Sequence, residues 1–272
     1  MTKAVEHAAK AVVFLFIIVL SPKGGVGKSL ISSLLADFLV GRGRVPRVVS
    51  IDARHPTRRF LESLAVPVSF ADLPSGAELA ADPHAVMRAF APVQAALSAA
   101  TGKADIIIDI GSPGAKPALE YIFRSNLAKR LHESGYQPVV LVPSTAQSES
   151  LALAGDTLHF VRDTFGTDLC AVAVENQRDG ALKRADDDAM KRFLAASNAR
   201  LQMPVLPSHW KALDAADILP RELLSMSVDD IGRLLGENED MVYVIRAELG
   251  EWMRQMERGF STVLPGLDPL AL

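Results

Sequence analysis

The chain has 272 residues, about half of them apolar, and a formal net charge of −3. That length suits one large α/β domain or at most two small ones, and the near-neutral balance gives no global reason to expect a nucleic-acid binder. A single cysteine, Cys170, excludes an intrachain disulfide and a cysteine-rich metal site.

Residues 11–20, AVVFLFIIVL, are unbroken apolar sequence. The run is too short for a bilayer, which needs roughly 20 residues. Only Lys3 and Lys10 precede it, with Glu6 between them, and no small-residue cleavage site follows, so it does not read as a secretory leader. Its β-branched and aromatic content predicts a buried parallel strand of a cytoplasmic protein. The ten residues before it are expected to be a loose or helical lead-in. After a glycine-rich turn, SLISSLLADFLVGRG has helical spacing and stops at Gly41–Gly43. PRVVSID predicts a short strand ending in Asp52. Residues 56–104 are mixed, with a helical turn at TRRFLESL and mostly helix in DPHAVMRAFAPVQAALSAA. ADIIIDI predicts a strand that carries Asp109 near its end, GSPGAKP a loop, and ALEYIFRSNLAKRLHESG a helix. The strand QPVVLVPS, the helix SESLALAGDTLHFVRDTFG and the strand DLCAVAVEN follow. Cys170 in the last of these reads as a small core residue. A polar helix, ALKRADDDAMKRFLAASN, precedes a short strand, QMPVLP. From about residue 215 the chain is helical, with a polar break at GENED.

Strands alternating with helices predict an α/β fold: a doubly wound, mostly parallel sheet with helices on both faces. Residues 1–272 are expected to form one domain with a helical extension from about residue 215.

SPKGGVGKS, residues 21–29, follows the first strand and opens the first helix, the context a phosphate loop requires. Gly24, Gly25, Val26 and Gly27 would turn successive backbone N–H groups around phosphate oxygens, and Leu30 continues the loop into the helix. The helix N-terminus adds positive potential. Lys28 would reach the β and γ phosphates, and the Ser29 hydroxyl would hold Mg²⁺. Asp109 stands where a carboxylate at a strand end meets Mg²⁺ or its water shell. Asp52 ends its strand in the same way and is a candidate to order water, metal or a neighbouring loop.

A lysine also opens this loop. KGGVGKS resembles the deviant Walker A motif of the ParA/MinD-type ATPases, and the resemblance extends over about residues 12–210. It implies a P-loop ATPase using ATP and Mg²⁺ in an ATP-dependent homodimer, with Lys23 reaching across to the other copy's nucleotide and Lys28 acting in cis. It implies that the second switch begins at Asp109 in DIGSPG. Asn176, at the end of VAVEN, matches the family's adenine-recognising asparagine, and Pro207 in LPSH matches a second base-side loop. The first switch departs from the family pattern. The family has two aspartates one residue apart, whereas this chain reads Asp52, Ala53, Arg54. An arginine cannot accept a hydrogen bond from the attacking water. Either hydrolysis is weak or Asp52 takes the role through a shifted loop. IIIDIGSPGAKPALEYI and AVAVENQRDG further resemble the plasmid TraL/StbB-type proteins, which implies plasmid partition or placement of a conjugative-transfer complex, with a regulatory or adaptor protein as partner.

Such a dimer can bind DNA nonspecifically. The candidate basic residues here are Arg42, Arg44, Arg47, Arg58, Arg59, Lys183 and Arg184, though no dense basic block is present. Val242, Ile245, Leu249, Trp252, Met256 and Phe260 form one apolar stripe. The opposite face mixes arginine and glutamate, so it offers no net attraction to anionic lipid. Core packing or a protein partner is expected there, and not a membrane.

Overall fold

The computed structural model describes residues 13–52, 58–82, 84–100, 102–181, 188–215, 218 and 220–267. The N-terminal lead-in, Arg54, Lys183 and Arg184 lie outside the described residues.

The chain opens with β1 (Phe14–Val19), α1 (Lys28–Gly41), β2 (Arg47–Ile51), α2 (Arg58–Ser63) and β3 (Val68–Ala71). Three short helices, α3 (Gly76–Ala81), α4 (Ala85–Ala89) and α5 (Ala91–Ala100), lead into β4 (Ile106–Ile110). A 3-10 turn at Ser112–Gly114 then opens α6 (Ala115–Arg124), followed by α7 (Leu127–Glu133), β5 (Tyr136–Ser144), α8 (Ser148–Phe165) and β6 (Cys170–Asn176). After α9 (Asp188–Ala195) and β7 (Ala199–Met203) come α10 (Trp210–Ala215), α11 (Pro220–Ser225), α12 (Val228–Leu235) and α13 (Glu239–Val263).

The seven strands form one sheet in the order β3-β2-β4-β1-β5-β6-β7, and every pairing is parallel. The fold is the doubly wound α/β class. β1 leads through α1 to β2 on one side, whereas β4 crosses over β1 to β5 on the other. Connections that part in opposite directions leave a crevice at the carboxyl ends of the two strands, where doubly wound sheets bind ligands. The register sets Val19, the last residue of β1, beside Asp109 of β4. The loop after β1 and the acid near the end of β4 are therefore neighbours.

β1 is buried on both faces because its alternating side chains enter two cores. Leu15, Ile17 and Val19 pack with α1, α11, α12 and α13, while Phe16, Ile18 and Leu20 pack with α5 to α9. The stripe of α13 lies wholly within the first of these cores. Trp252 stacks obliquely on Trp210 at 5.1 Å between ring centroids, and Phe260 meets Phe38 at 5.5 Å. Among the described residues no helix is long and apolar enough to cross a membrane.

Several boundaries differ from the sequence expectation. GSPGAKP is a 3-10 turn and the first turn of α6, not a loop; Pro117 is tolerated there because a first-turn N–H has no intrahelical acceptor. The helix expected from Ala118 to Gly135 is broken in two at Asn126, which adopts a left-handed conformation with φ of 51°. The last strand lies earlier than QMPVLP, ending at Met203 because Pro204 has no N–H to continue the ladder. The edge strand β3 was not anticipated: VSFA is only four residues long, and at the sheet edge its side chains are half-buried or exposed.

Candidate functional site

The loop between β1 and α1 is shaped by its glycines. Gly25 has φ of 71° and Gly27 φ of 90°, in the left-handed region that glycine tolerates without cost. Gly27 is also crowded, since a Cβ there would lie 2.9 Å from the Asn176 amide nitrogen. Gly24 and Gly25 are exposed, Val26 is buried beneath them, and Ser29 and Leu30 are half-buried. Gly27 caps α1 without any side-chain hydrogen bond to the first turn. The first backbone N–H groups of the helix therefore keep their capacity to bind an anion.

Lys28 is buried, with a relative exposure of 6%. Its Nζ donates to the Lys23 carbonyl at 2.9 Å and to the Ser112 hydroxyl at 2.8 Å. Burial lowers its pKa to about 8, against the raising effect of Asp109 and Asp52. Both acceptors are neutral, so among the described residues the ammonium has no direct anionic partner of the kind a phosphate provides.

Asp109 is fully buried. Its Oδ1 accepts a 3.0 Å hydrogen bond from Ser32 of α1, while Oδ2 has no partner among the described residues. Burial raises its carboxyl to about 6, opposed by hydrogen bonds from Ser32 and Ser29, with the nearby Asp52 adding to the rise. A fully buried carboxylate with an orphaned oxygen beside a serine hydroxyl suits a hard divalent cation with oxygen ligands. Asp52 follows β2 and lies tightly against the turn after Asp109: a Cβ at Gly111 would come within 2.5 Å of its Cγ. The Gly111 N–H donates to the Ile51 carbonyl at 2.9 Å, which ties the ends of β2 and β4 together.

Lys23 forms an ion pair and hydrogen bond with Glu149, in the first turn of α8. Asn176, the last residue of β6, is buried with its amide against the loop. Its Nδ2 donates to the Val26 carbonyl at 3.0 Å, and its Oδ1 accepts the Arg178 N–H at 3.0 Å. The fold thus brings Lys23, Lys28, Ser29, Asp52, Asp109 and Asn176 to one end of the sheet. Pro207 lies four residues beyond β7, where its carbonyl accepts the Trp210 N–H at 3.0 Å; the side chain from this strand against the loop is Met203, 3.5 Å from a Cβ position on Gly27.

Four neighbours of the site were not read from the sequence: Ser32, Ser112, Glu149 and Arg178. Ser32 had a local signal, standing one turn after Lys28 on α1. Ser112 follows Asp109 closely in the turn DIGSPG. The other two meet the loop only through the fold.

The basic residues considered for DNA are largely engaged elsewhere. Arg44 pairs with the buried Asp105, whose carboxylate also accepts the Leu15 N–H at 2.8 Å. Arg42 packs over the Phe38 ring at 4.5 Å and donates to the Ser261 hydroxyl, while Arg58 lies over the Phe70 ring at 4.0 Å. Arg47 is half-buried at the start of β2, and Arg59 is exposed on α2. The Cys170 thiol donates to the Val263 carbonyl at 3.3 Å, and burial pushes its pKa up to about 11, as befits a packing residue.

No protein-family model matches the chain. Two curated relatives, both named Protein TraL from Escherichia coli, match it in sequence. One is 29% identical over 122 residues, 45% of this chain and 46% of the relative. The other is 25% identical over 214 residues, 75% of this chain and 83% of the relative. The first match thus spans less than half of that relative's length. Solved structures with a similar arrangement include a ParA family ATPase from Chlorobium tepidum, 13% identical over 89% of this chain and 98% of that one, with a TM-score of 0.44. A plasmid partition protein from Borrelia burgdorferi is 18% identical over 70% of this chain and 89% of that one, with a TM-score of 0.41. The signal recognition particle receptor FtsY from Elizabethkingia anophelis is 16% identical over 71% of this chain and 59% of that one, with a TM-score of 0.45. The expected similarity to TraL is found in sequence, and a ParA family ATPase and a plasmid partition protein stand among the structural neighbours.

Proposed function

We propose that the chain is an ATP-dependent dimerising switch ATPase, one P-loop domain with a helical C-terminal extension, acting in plasmid or chromosome partition or in placing a conjugative-transfer complex. The observation that carries this reading is the convergence on the ends of β1 and β4. A loop with two left-handed glycines meets there with a buried lysine and a buried carboxylate, and among the described residues the lysine has no anionic partner and one carboxylate oxygen has no donor. Phosphate oxygens would replace the Lys23 carbonyl and Ser112 hydroxyl as acceptors for Lys28. Ser29 and Asp109 would hold Mg²⁺, with Asp52 nearby; the ion supplies charge neutralisation of the phosphates when bound. Asn176 and the Pro207 loop would lie toward the adenine. The Asn176 amide already serves Val26 and Arg178, so a base contact must use its second amide hydrogen or its second lone pair.

In this reading two copies close face to face with ATP, and Lys23 leaves Glu149 to serve the other copy's nucleotide. The similarity to TraL supports the plasmid setting. A regulatory or adaptor protein would receive the signal. Nonspecific DNA binding would have to draw on basic residues other than Arg42 and Arg44, which are half-buried and engaged within the fold.

The sequence Asp52-Ala53-Arg54 favours a second reading, a nucleotide-gated scaffold that binds ATP with little hydrolysis. Phosphate release with and without DNA, measured beside mass by light scattering with ATP, separates the two. ATP-dependent dimerisation with turnover supports the switch ATPase. Dimerisation without turnover supports the scaffold, and a monomer under every nucleotide condition overturns the role of Lys23 between copies.

A further inference from the structure

The 3-10 turn that follows β6, Gln177–Asp179, lies over the outside of the phosphate loop. Two residues at this turn grip two consecutive loop carbonyls. Asn176 donates to the Val26 carbonyl at 3.0 Å, and Arg178 Nη1 donates to the Gly25 carbonyl at 2.6 Å. The grip is itself braced. The Arg178 N–H is held by Asn176 Oδ1, and its Nε donates to Asp179 Oδ1 at 3.2 Å. Asp179 Oδ2 in turn accepts from Gln147, the N-cap residue of α8, at 3.3 Å. The guanidinium is thus aimed at Gly25 by a second fork of hydrogen bonds, although half of its surface remains exposed.

The placement matters for the loop's shape. A phosphate loop works when its N–H groups point inward and its carbonyls outward. Gly25, at φ of 71°, is the hinge of that arrangement, and a glycine resists ordering more than any other residue. A charge-assisted donor on the outward carbonyl opposes peptide flipping before any anion is present. Pre-organisation of this kind raises affinity by removing an ordering cost from the binding step.

We propose that Arg178 is a positioning residue for nucleotide binding: its guanidinium clasps the Gly25 carbonyl and holds the loop in its polyphosphate-accepting shape. This rests on the reading of the site as an ATP site. The test uses the full chain with the substitutions Arg178→Met, which keeps an apolar stem, and Arg178→Lys, which restores one donor. MgATP affinity is measured by calorimetry and the nucleotide-free Tm by scanning calorimetry. The expected result is a nucleotide-free Tm close to wild type for both variants. MgATP binding should be about tenfold weaker for Arg178→Met, the scale of one charge-assisted hydrogen bond. Arg178→Lys should recover most of that loss. The clasp is overturned if Arg178→Met binds MgATP as tightly as wild type. It is equally overturned if weakened binding comes with a fallen Tm and Arg178→Lys restores neither. Wild-type protein that binds no MgATP overturns the ATP reading itself, a result distinct from both.

Discussion

Lys28 and Asp109 carry charges that the fold has removed from water without giving either a full partner. Burial lowers the lysine to about 8 and raises the carboxyl to about 6. Each shift states that the ionised form is disfavoured in the nucleotide-free fold. Bound phosphate and a divalent cation would relieve both, so the site holds part of its binding drive as unmet electrostatic demand. The sign for Asp109 follows from linkage. Its folded pKa lies above the unfolded value of 3.8, so between about 4 and 6 the folded state holds more protons. Stability from this group is present below that window and is lost as pH rises through 6. A carboxyl titrating near 6 in place of 3.8 costs the ionised folded form on the order of 3 kcal/mol. Asp109→Asn should therefore raise stability at pH 7 and flatten the pH dependence between 4 and 6, measured by urea unfolding, while Mg²⁺-dependent nucleotide binding is lost. Equal stability of variant and wild type at pH 7 would contradict this account of burial. Lys28, Ser29 and Asp109 were legible because loop spacing and strand-end position are local signals. Ser112, Glu149 and Arg178 were not, because their partners in the loop lie 84, 126 and 153 positions away in the chain.

Among the elements, α13 shows what periodicity does and does not decide. Its stripe was legible as one apolar face, and its mixed-charge opposite face argued against lipid, but periodicity left core and protein partner both open. The fold resolves this by laying the helix along the sheet. A Cβ at Gly259 would lie 2.4 Å from Leu201 of β7, so the helix backbone comes as close as a glycine allows. Phe260 is 1% exposed and Tyr243 55% on the same helix. Phe260→Ala should cost about 3–5 kcal/mol, as for other buried aromatic truncations. Tyr243→Ala should stay within about 0.5 kcal/mol. Chemical unfolding of the two variants checks this, and a small effect at Phe260 would mean that α13 is not part of the core. The breaks in other elements were harder to read. Asn126 interrupts a helix whose apolar pattern continues across it, and β3 is too short to show a period.

The whole molecule turns on where two connections part. Crossing from β4 over β1 to β5 opens the crevice and sets the loop against Asp109, with α8 and its Glu149 beside Lys23. If Lys23 serves a second copy, Glu149 competes with that role. An exposed ion pair contributes about 0.2–1 kcal/mol and a symmetric dimer releases two, so Glu149→Gln should lower the concentration needed for MgATP-dependent dimerisation by up to about thirtyfold. Lys23→Met should abolish dimerisation while leaving MgATP binding to the single copy. Light scattering across a concentration series reads both; a Lys23→Met dimer as stable as wild type would remove the lysine from the interface. By itself the sequence determined the alternation of strand and helix, the phosphate-loop pattern and the acids near the strand ends. These depend on the spacing and chemistry of residues near one another in the chain. Only the tertiary structure decided strand order, the burial that perturbs Lys28 and Asp109, the use of Arg42 and Arg44 as internal contacts, and the clasp at Gly25. Those depend on which surfaces meet when the chain closes on itself, and burial and long-range pairing leave no periodic mark in the sequence.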